Sequence, residues 1–215
     1  MSKRSSRTRA PAAAPAGGRR PKQARPQGPR RPRWIRRAAL GLALVAAVAV
    51  VVAVTATHST SAPGAAGQTA PSATFTTTSG QTETVSALRG QPTLLWLVTT
   101  WCSSCQAGTT AMAQQIPTFA AHHVRVVELE VANDFGQAGP PITEFGQQLA
   151  GSSYQNPDWV WGMASPKLTQ TYDPNGYLDI YYLLDRQGRV AYVNSSPGAT
   201  MGQLLAEVAR VGSPA

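Results

Sequence analysis

Leu94-Leu95-Trp96-Leu97-Val98-Thr99-Thr100-Trp101-Cys102-Ser103-Ser104-Cys105 leads an apolar run into two cysteines three positions apart, and these are the only cysteines in the chain of 215 residues. The continuous apolar stretch predicts a buried strand over Thr93 to Thr99. A helix beginning at about Ser103 then places the first thiol at a helix N-terminus, where unpaired backbone N–H groups and the helix dipole favour a thiolate. The thiolate is the form that attacks disulfides. A second thiol one turn on can resolve the mixed disulfide within the same molecule.

Other uses of a Cys-x-x-Cys pair fit less well. Tetrahedral zinc wants four ligands. The rest of the chain offers only His58, in a linker, and the adjacent His122 and His123 near a helix end. No metal or organic cofactor is therefore expected. A structural disulfide across so short a loop would gain little chain-entropy stabilisation, which favours a redox pair.

Working outward, the first 37 residues carry thirteen Lys or Arg and no acid, and with many prolines they predict a disordered basic tail. Residues 38–56 are nineteen uncharged, nearly all apolar residues. At about 1.5 Å rise each they match a bilayer's hydrocarbon core, so a single transmembrane helix is expected. Positive charge on its N-terminal side predicts a cytoplasmic N-terminus and an extracytoplasmic C-terminal domain at the cell membrane. A cleaved signal peptide is the alternative, but the apolar run and basic leader are both long for one. Specific nucleic-acid binding is not expected, because topology and anionic lipid explain the basic charge more simply.

Beyond residue 37 there are six basic residues against ten acidic ones, a net of −4, so the whole-chain charge of +9 misdescribes the domain and comes from the leader's +13. Residues 57–72 are Ser, Thr, Gly, Pro and Ala without periodicity and read as a flexible linker. Residues 73–215 are enough for one domain with its own core. An exported position suits the cysteines, since disulfides persist in oxidising compartments.

Patterning along the domain predicts a hairpin over Ala73 to Thr78 and Thr82 to Ser86, and a first helix that Pro117 should kink or split before His123. A strand follows from Val124 to Val131, on which Glu128 and Glu130 alternate with apolar residues and read as the solvent face. A polar loop containing Asn133, Asp134, Gly136, Gly139, Pro140 and Pro141 leads to a helix near Ile142 to Ala150. Gly151 to Trp161 reads as irregular and aromatic. Ser165 should cap a short helix over Pro166 to Tyr172. Strands are expected over Ile180 to Asp185 and Val190 to Asn194, and Thr200 should cap a last amphipathic helix with Met201, Leu204, Leu205, Val208 and Val211 on one stripe.

Taken together, "FTTTSGQTETVSALRGQPTLLWL", Trp101-Cys102-Ser103-Ser104-Cys105 and the late "YYLLDRQGRVAYV" before a C-terminal helix resemble the thioredoxin superfamily. The resemblance is to its membrane-anchored extracytoplasmic bacterial thiol–disulfide oxidoreductases, of the alkyl hydroperoxide reductase/thiol-specific antioxidant-like subgroup. It implies an α/β thioredoxin-like fold, a central mixed sheet flanked by helices, with an N-terminal β-hairpin extension. Cys102 would be the exposed nucleophile and Cys105 the buried resolving thiol, with Trp101 beside them shaping the docking face.

Two departures stand out. The family usually has a cis-proline before the strand that faces the cysteines; here the counted positions are Leu178 and Asp179, which would line the substrate groove instead. A cis bond without proline costs about 2.5–4 kcal/mol, so a trans bond and a differently shaped groove are expected. If Asp179 faces the disulfide, its charge should disfavour the Cys102 thiolate and shift the pair toward the reducing end. The second departure is Gly108, which stands where many members carry an acid three residues after the resolving cysteine.

The expectation is thus a membrane-tethered thiol–disulfide oxidoreductase acting on the thiols or disulfides of exported proteins, reductive rather than oxidative, and exchanging electrons with a membrane redox partner. The alternative is a non-catalytic binding module on the same fold with a structural disulfide. Copper delivery is disfavoured because the cysteine spacing is one residue short and the histidines sit early. Peroxidase activity lacks an arginine or threonine pattern around Cys102.

Overall fold

The computed structural model describes residues 66–213. The basic leader 1–37, the apolar segment 38–56 and linker residues 57–65 lie outside the described residues. No helix among the described residues is long and apolar enough to cross a membrane.

Seven strands form one mixed sheet: β1 Thr74–Thr77, β2 Thr82–Thr84, β3 Thr93–Val98, β4 Arg125–Glu130, β5 Trp159–Ala164, β6 Asp179–Leu184 and β7 Val190–Ser195. Their spatial order is β2-β1-β5-β4-β3-β6-β7, with β5, β4 and β3 parallel to one another and the outer pairings antiparallel. Among the described residues four α-helices follow in chain order: α1 Ser103–Ala121, α2 Ile142–Ala150, α3 Pro166–Tyr172 and α4 Pro197–Gly212.

Every residue of β3 is buried because both faces of the sheet are covered, which is why its sequence runs apolar rather than alternating. Leu94, Trp96 and Val98 pack with Met112, Ile116, Phe145, Leu204 and Val208 of α1, α2 and α4. Leu95 and Leu97 point the other way, into a second core with Phe75, Val85, Leu88, Leu168 and Tyr172. Alternate residues of one strand thus bind two layers of the fold together. Part of the expected linker also joins the fold: Gly67 and Ala70 donate backbone N–H groups to Val190 and Gly188 at 2.8 and 2.9 Å.

Four expectations are corrected. Gly151 to Trp161 is not all irregular, since β5 begins at Trp159 and carries Trp161 stacked on Trp159 at 4.5 Å between ring centroids. Thr200 does not start the last helix; α4 begins at Pro197, whose ring suits a first turn, and Thr200 Oγ1 donates back to Ser195 and Ser196 carbonyls at 3.0 and 3.1 Å. Glu128 does not face solvent: β4 is the central strand with both faces covered, and Glu128 is fully buried while Glu130 is half-buried.

The last correction concerns Pro117. It does not split α1, which runs as one helix from Ser103 to Ala121. A proline there leaves the carbonyl four residues earlier, that of Ala113, without its helical N–H. Ser153, in the turn after α2, donates its hydroxyl to that Ala113 oxygen at 3.2 Å.

Candidate active site

Cys102 and Cys105 are brought together at the C-terminal end of β3, both as free thiols. Cys102 is the N-cap of α1, with extended backbone angles of φ −82° and ψ 125°, and its carbonyl already accepts from Gln106 at 3.0 Å. Cys102 is not the exposed thiol that the resemblance implied, since it is only 8% exposed and Cys105 is 0% exposed, so the two differ in their hydrogen bonds and nearby charge more than in access. Burial acts to push the Cys102 thiol up, but hydrogen bonds from the Ser104 hydroxyl and from the backbone N–H groups of Cys105 and Ser104 outweigh it and hold the thiol below its ordinary value. Ser104 Oγ lies 3.0 Å from Cys102 Sγ, in place to donate to a thiolate.

Cys105 is fully buried, and its thiol is pushed far up, first by burial and then by the charge of Asp179. It donates its S–H to the Leu178 carbonyl at 2.8 Å. One thiol is therefore poised to ionise and the other to stay protonated. The negative charge expected to act on Cys102 falls on Cys105 instead.

Leu178 and Asp179, the residues in place of the family's proline, both lie against this pair. Leu178 takes a left-handed φ of 66°, held by the Asp173 carboxylate, which accepts from the N–H groups of Tyr177 at 2.7 Å and Leu178 at 3.3 Å. That geometry turns the Leu178 carbonyl onto Cys105. Asp179 begins β6, is 1% exposed, and accepts the Trp96 indole N–H on Oδ1 at 2.8 Å, while its Oδ2 has no partner. Burial raises its carboxyl to about 6, against the opposing pull of the Trp96 hydrogen bond.

Trp96 also explains Gly108. A Cβ on Gly108 would lie 2.9 Å from Trp96 Cζ2 and 3.1 Å from Pro197 Cγ, so the place of the family's acid is filled by an indole. The fold buries its acids on the strands instead. Glu128, beside Trp96 in register, accepts Thr109 Oγ1 at 2.7 Å and Trp159 Nε1 at 3.1 Å; burial, opposed by those two bonds and reinforced by Asp179, holds its carboxyl well above the ordinary range. Trp101 is half-buried and donates its indole N–H to the Asp134 carbonyl at 2.9 Å. Among the described residues, no three His, Cys, Asp or Glu side chains gather as a metal site.

A model of the AhpC/TSA family matches residues 66–193, which spans the hairpin, the cysteine pair and β6. The chain belongs to the AhpC/TSA family. None of the curated proteins matches it in sequence. The thioredoxin-like fold of this AhpC/TSA chain is similar to a Chlorobium tepidum protein described as the thiol:disulfide interchange protein DsbE, at 22% identity and TM-score 0.50, covering 67% of this chain and 99% of that one. It is also similar to a Bacteroides thetaiotaomicron protein described as a protein disulfide isomerase (18% identity, TM-score 0.52, covering 69% and 90%). A thioredoxin-like protein from Aeropyrum pernix matches at 20% identity and TM-score 0.50, covering 65% and 89%. At such identities the likeness is one of fold.

Within this AhpC/TSA fold, four residues at or near the site escaped the sequence reading. Glu128 was hidden because period-2 alternation looks the same on a solvent face and on a face covered by helices. Asp173 and Asp134 carried only a weak signal, that of Asp and Asn near a glycine in a loop, which favours turns and left-handed backbone, and Thr100 carried none.

Proposed function

We propose that the protein is a membrane-tethered thiol–disulfide oxidoreductase of exported proteins, working as a reductant through Cys102 and Cys105. The observation that carries the reading is the unlike placement of the two thiols, Cys102 at the N-cap of α1 with the Ser104 hydroxyl 3.0 Å away and Cys105 wholly buried with its S–H on the Leu178 carbonyl, which lowers the first thiol and raises the second. Cys102 as thiolate attacks one sulfur of a partner disulfide, and the other partner sulfur leaves and takes a proton. The Cys105 thiol then gives up its proton and attacks Cys102 Sγ. The Cys102–Cys105 bond forms, the partner's second sulfur leaves as a thiol, and two electrons have passed to the partner. A membrane redox partner must return them, and no metal or organic cofactor is needed.

The reductive direction and the substrate class are supported by the subgroup resemblance of the flanking sequence. Tethering is supported by residues 38–56 and by the one-sided positive charge before them, which together favour a single-pass protein of the cell membrane with its N-terminus in the cytoplasm. No specific nucleic acid enters the scheme.

Two measurements test this. Cys105→Ser in the full-length chain should accumulate a mixed disulfide on Cys102, and Cys102→Ser should not. The equilibrium potential, read by alkylation and mass spectrometry across a graded thiol–disulfide buffer, should fall toward the negative end of about −120 to −270 mV. A value well below about −300 mV with slow equilibration and no trapped partner would mark a structural disulfide and a binding module.

A further inference from the structure

We propose that Asp134 is a positioning residue for the Cys102 nucleophile, its carboxylate and its carbonyl together fixing the Thr100-Trp101 segment that aims the Cys102 sulfur at the start of α1. This rests on the reading of Cys102 as the attacking thiol. Four separate features of the 131–141 loop converge on those two residues.

First, the Asp134 carboxylate accepts from the Thr100 backbone N–H at 3.0 Å and from Thr100 Oγ1 at 2.6 Å, and Thr100 is fully buried. Second, the Asp134 carbonyl takes the Trp101 indole N–H at 2.9 Å. Third, Asn133, Asp134 and Phe135 all adopt left-handed backbone, with φ of 53°, 48° and 53°. A left-handed residue other than glycine is strained, so three in a row persist only where surrounding contacts hold them. Fourth, Gly139 passes so close that a Cβ on it would lie 2.1 Å from Thr100 Oγ1, 2.6 Å from Asp134 Oδ2 and 3.0 Å from the Trp101 nitrogen.

The loop is fastened at its base. Val131 donates to the Val98 carbonyl at 2.9 Å, and Ala132 donates to Thr169 Oγ1 of α3 at 2.8 Å. Asp134 is itself 5% exposed, and the donors that meet its carboxylate are the N–H and O–H of Thr100. Burying an acid is costly unless its oxygens are hydrogen-bonded. Here the satisfied acid and the strained turn meet on the two residues before the nucleophile.

The chemical consequence lies in the N-cap geometry. Cys102 has non-helical backbone angles and no capping hydrogen bond to the backbone, and its sulfur stays beside the Ser104 hydroxyl, 3.0 Å away, and over the N–H groups of the first turn only while the preceding residues hold their place. Releasing Thr100 and Trp101 lets Cys102 turn away from those donors, and the thiolate loses their stabilisation. The other titratable groups around this region are Cys105 with Asp179 behind it, and Glu130, which feels the Asp134 charge.

The test is the pH profile of Cys102 alkylation by iodoacetamide, read by peptide mass spectrometry on the reduced full-length chain in detergent. In Asp134→Ala the rate at pH 7 should fall about tenfold, as expected for a misplaced reacting group, and the profile should move to higher pH. Asp134→Asn keeps an oxygen for the Thr100 N–H and an amide for its hydroxyl, so it should restore most of the rate. An Ala profile that superimposes on wild type overturns the proposal. So does an Asn profile displaced as far as that of Ala, or a shift to lower pH in both, which would assign the effect to charge rather than position. Should Asp134→Ala fail to fold, Gly139→Ala displaces Thr100 while keeping the acid and should raise the profile in the same way; an unchanged profile there also overturns it. Alkylation needs no disulfide partner, so a failure to trap mixed disulfides sinks the exchange reading without touching this result.

Discussion

Leu178 shows how a single residue can replace a family feature by different means. Proline has no N–H and fixes φ near −65°, whereas Leu178 has a φ of 66° and donates its N–H to Asp173. The carboxylate of Asp173, not a ring, sets the backbone that meets Cys105. Installing the family's proline should therefore damage the site: Leu178→Pro breaks the Asp173 contact, reverses the sign of φ and withdraws the carbonyl from Cys105. The expected outcome is a loss of more than about 1 kcal/mol of stability in urea titration, because the native backbone is incompatible with proline. A variant as stable as wild type would show that Asp173 does not hold this turn. Gly108 makes the complementary case. Gly108→Ala presses a methyl group into the Trp96 ring and should cost about 1–3 kcal/mol by the same measurement, so an acid cannot be restored at that position by substitution alone.

At the scale of elements, α1 starts at the two thiols and contains an exposed proline that its neighbour compensates. Pro117 leaves the Ala113 carbonyl to Ser153, which ties α1 to the turn after α2. Pro117→Ala should stabilise the domain by up to about 3 kcal/mol, since the helical N–H returns and the ring clash is removed. Ser153→Ala should cost about 1 kcal/mol in the native chain, and less once residue 117 supplies its own donor. A double-mutant cycle by urea melts checks the coupling, and strict additivity would show that the Ser153 bond is independent of Pro117. That same compensation was beyond the reach of sequence, because Ser153 lies 36 positions from Pro117 and only the packing of α2 on α1 brings them together. What was legible is what local chemistry decides: the apolar run of β3, the Ser165 cap with Pro166 after it, and the placement of the cysteines where strand gives way to helix. β5 was obscured because Gly162 and the preceding Asn156-Pro157 have the chemistry of a loop, while its identity as a strand depends on lying between β1 and β4.

The molecule as a whole divides its charge, with a basic leader before a domain of net −4, and among the described residues its buried acids are paired with no cation. Among the described residues the ion pair is Arg210 with Glu207 on the surface of α4, while Asp179, Glu128 and Asp173 sit inside or against the sheet on neutral donors. Such acids hold protons in the folded state that an unfolded chain has already released. Asp179 is raised to about 6 and the half-buried Glu130 to about 7, each first by burial and Glu130 also by the charge of Asp134. Unfolded Asp and Glu titrate near 3.9 and 4.3, so between roughly pH 4 and 7 the folded protein binds more protons than the unfolded one. Stability must then fall as pH rises through that window: the cost is absent below the unfolded values and complete above the folded ones. Asp179 alone accounts for about 3 kcal/mol. Urea midpoints should accordingly be higher at pH 5 than at pH 8, the reverse of a domain whose carboxylates are held by cations. Asp179→Asn should raise the midpoint at pH 8 and flatten the dependence. A midpoint that rises with pH, or a slope that Asp179→Asn leaves unchanged, would mean that solvent or an unassigned donor reaches the Asp179 carboxylate beneath the two cysteines.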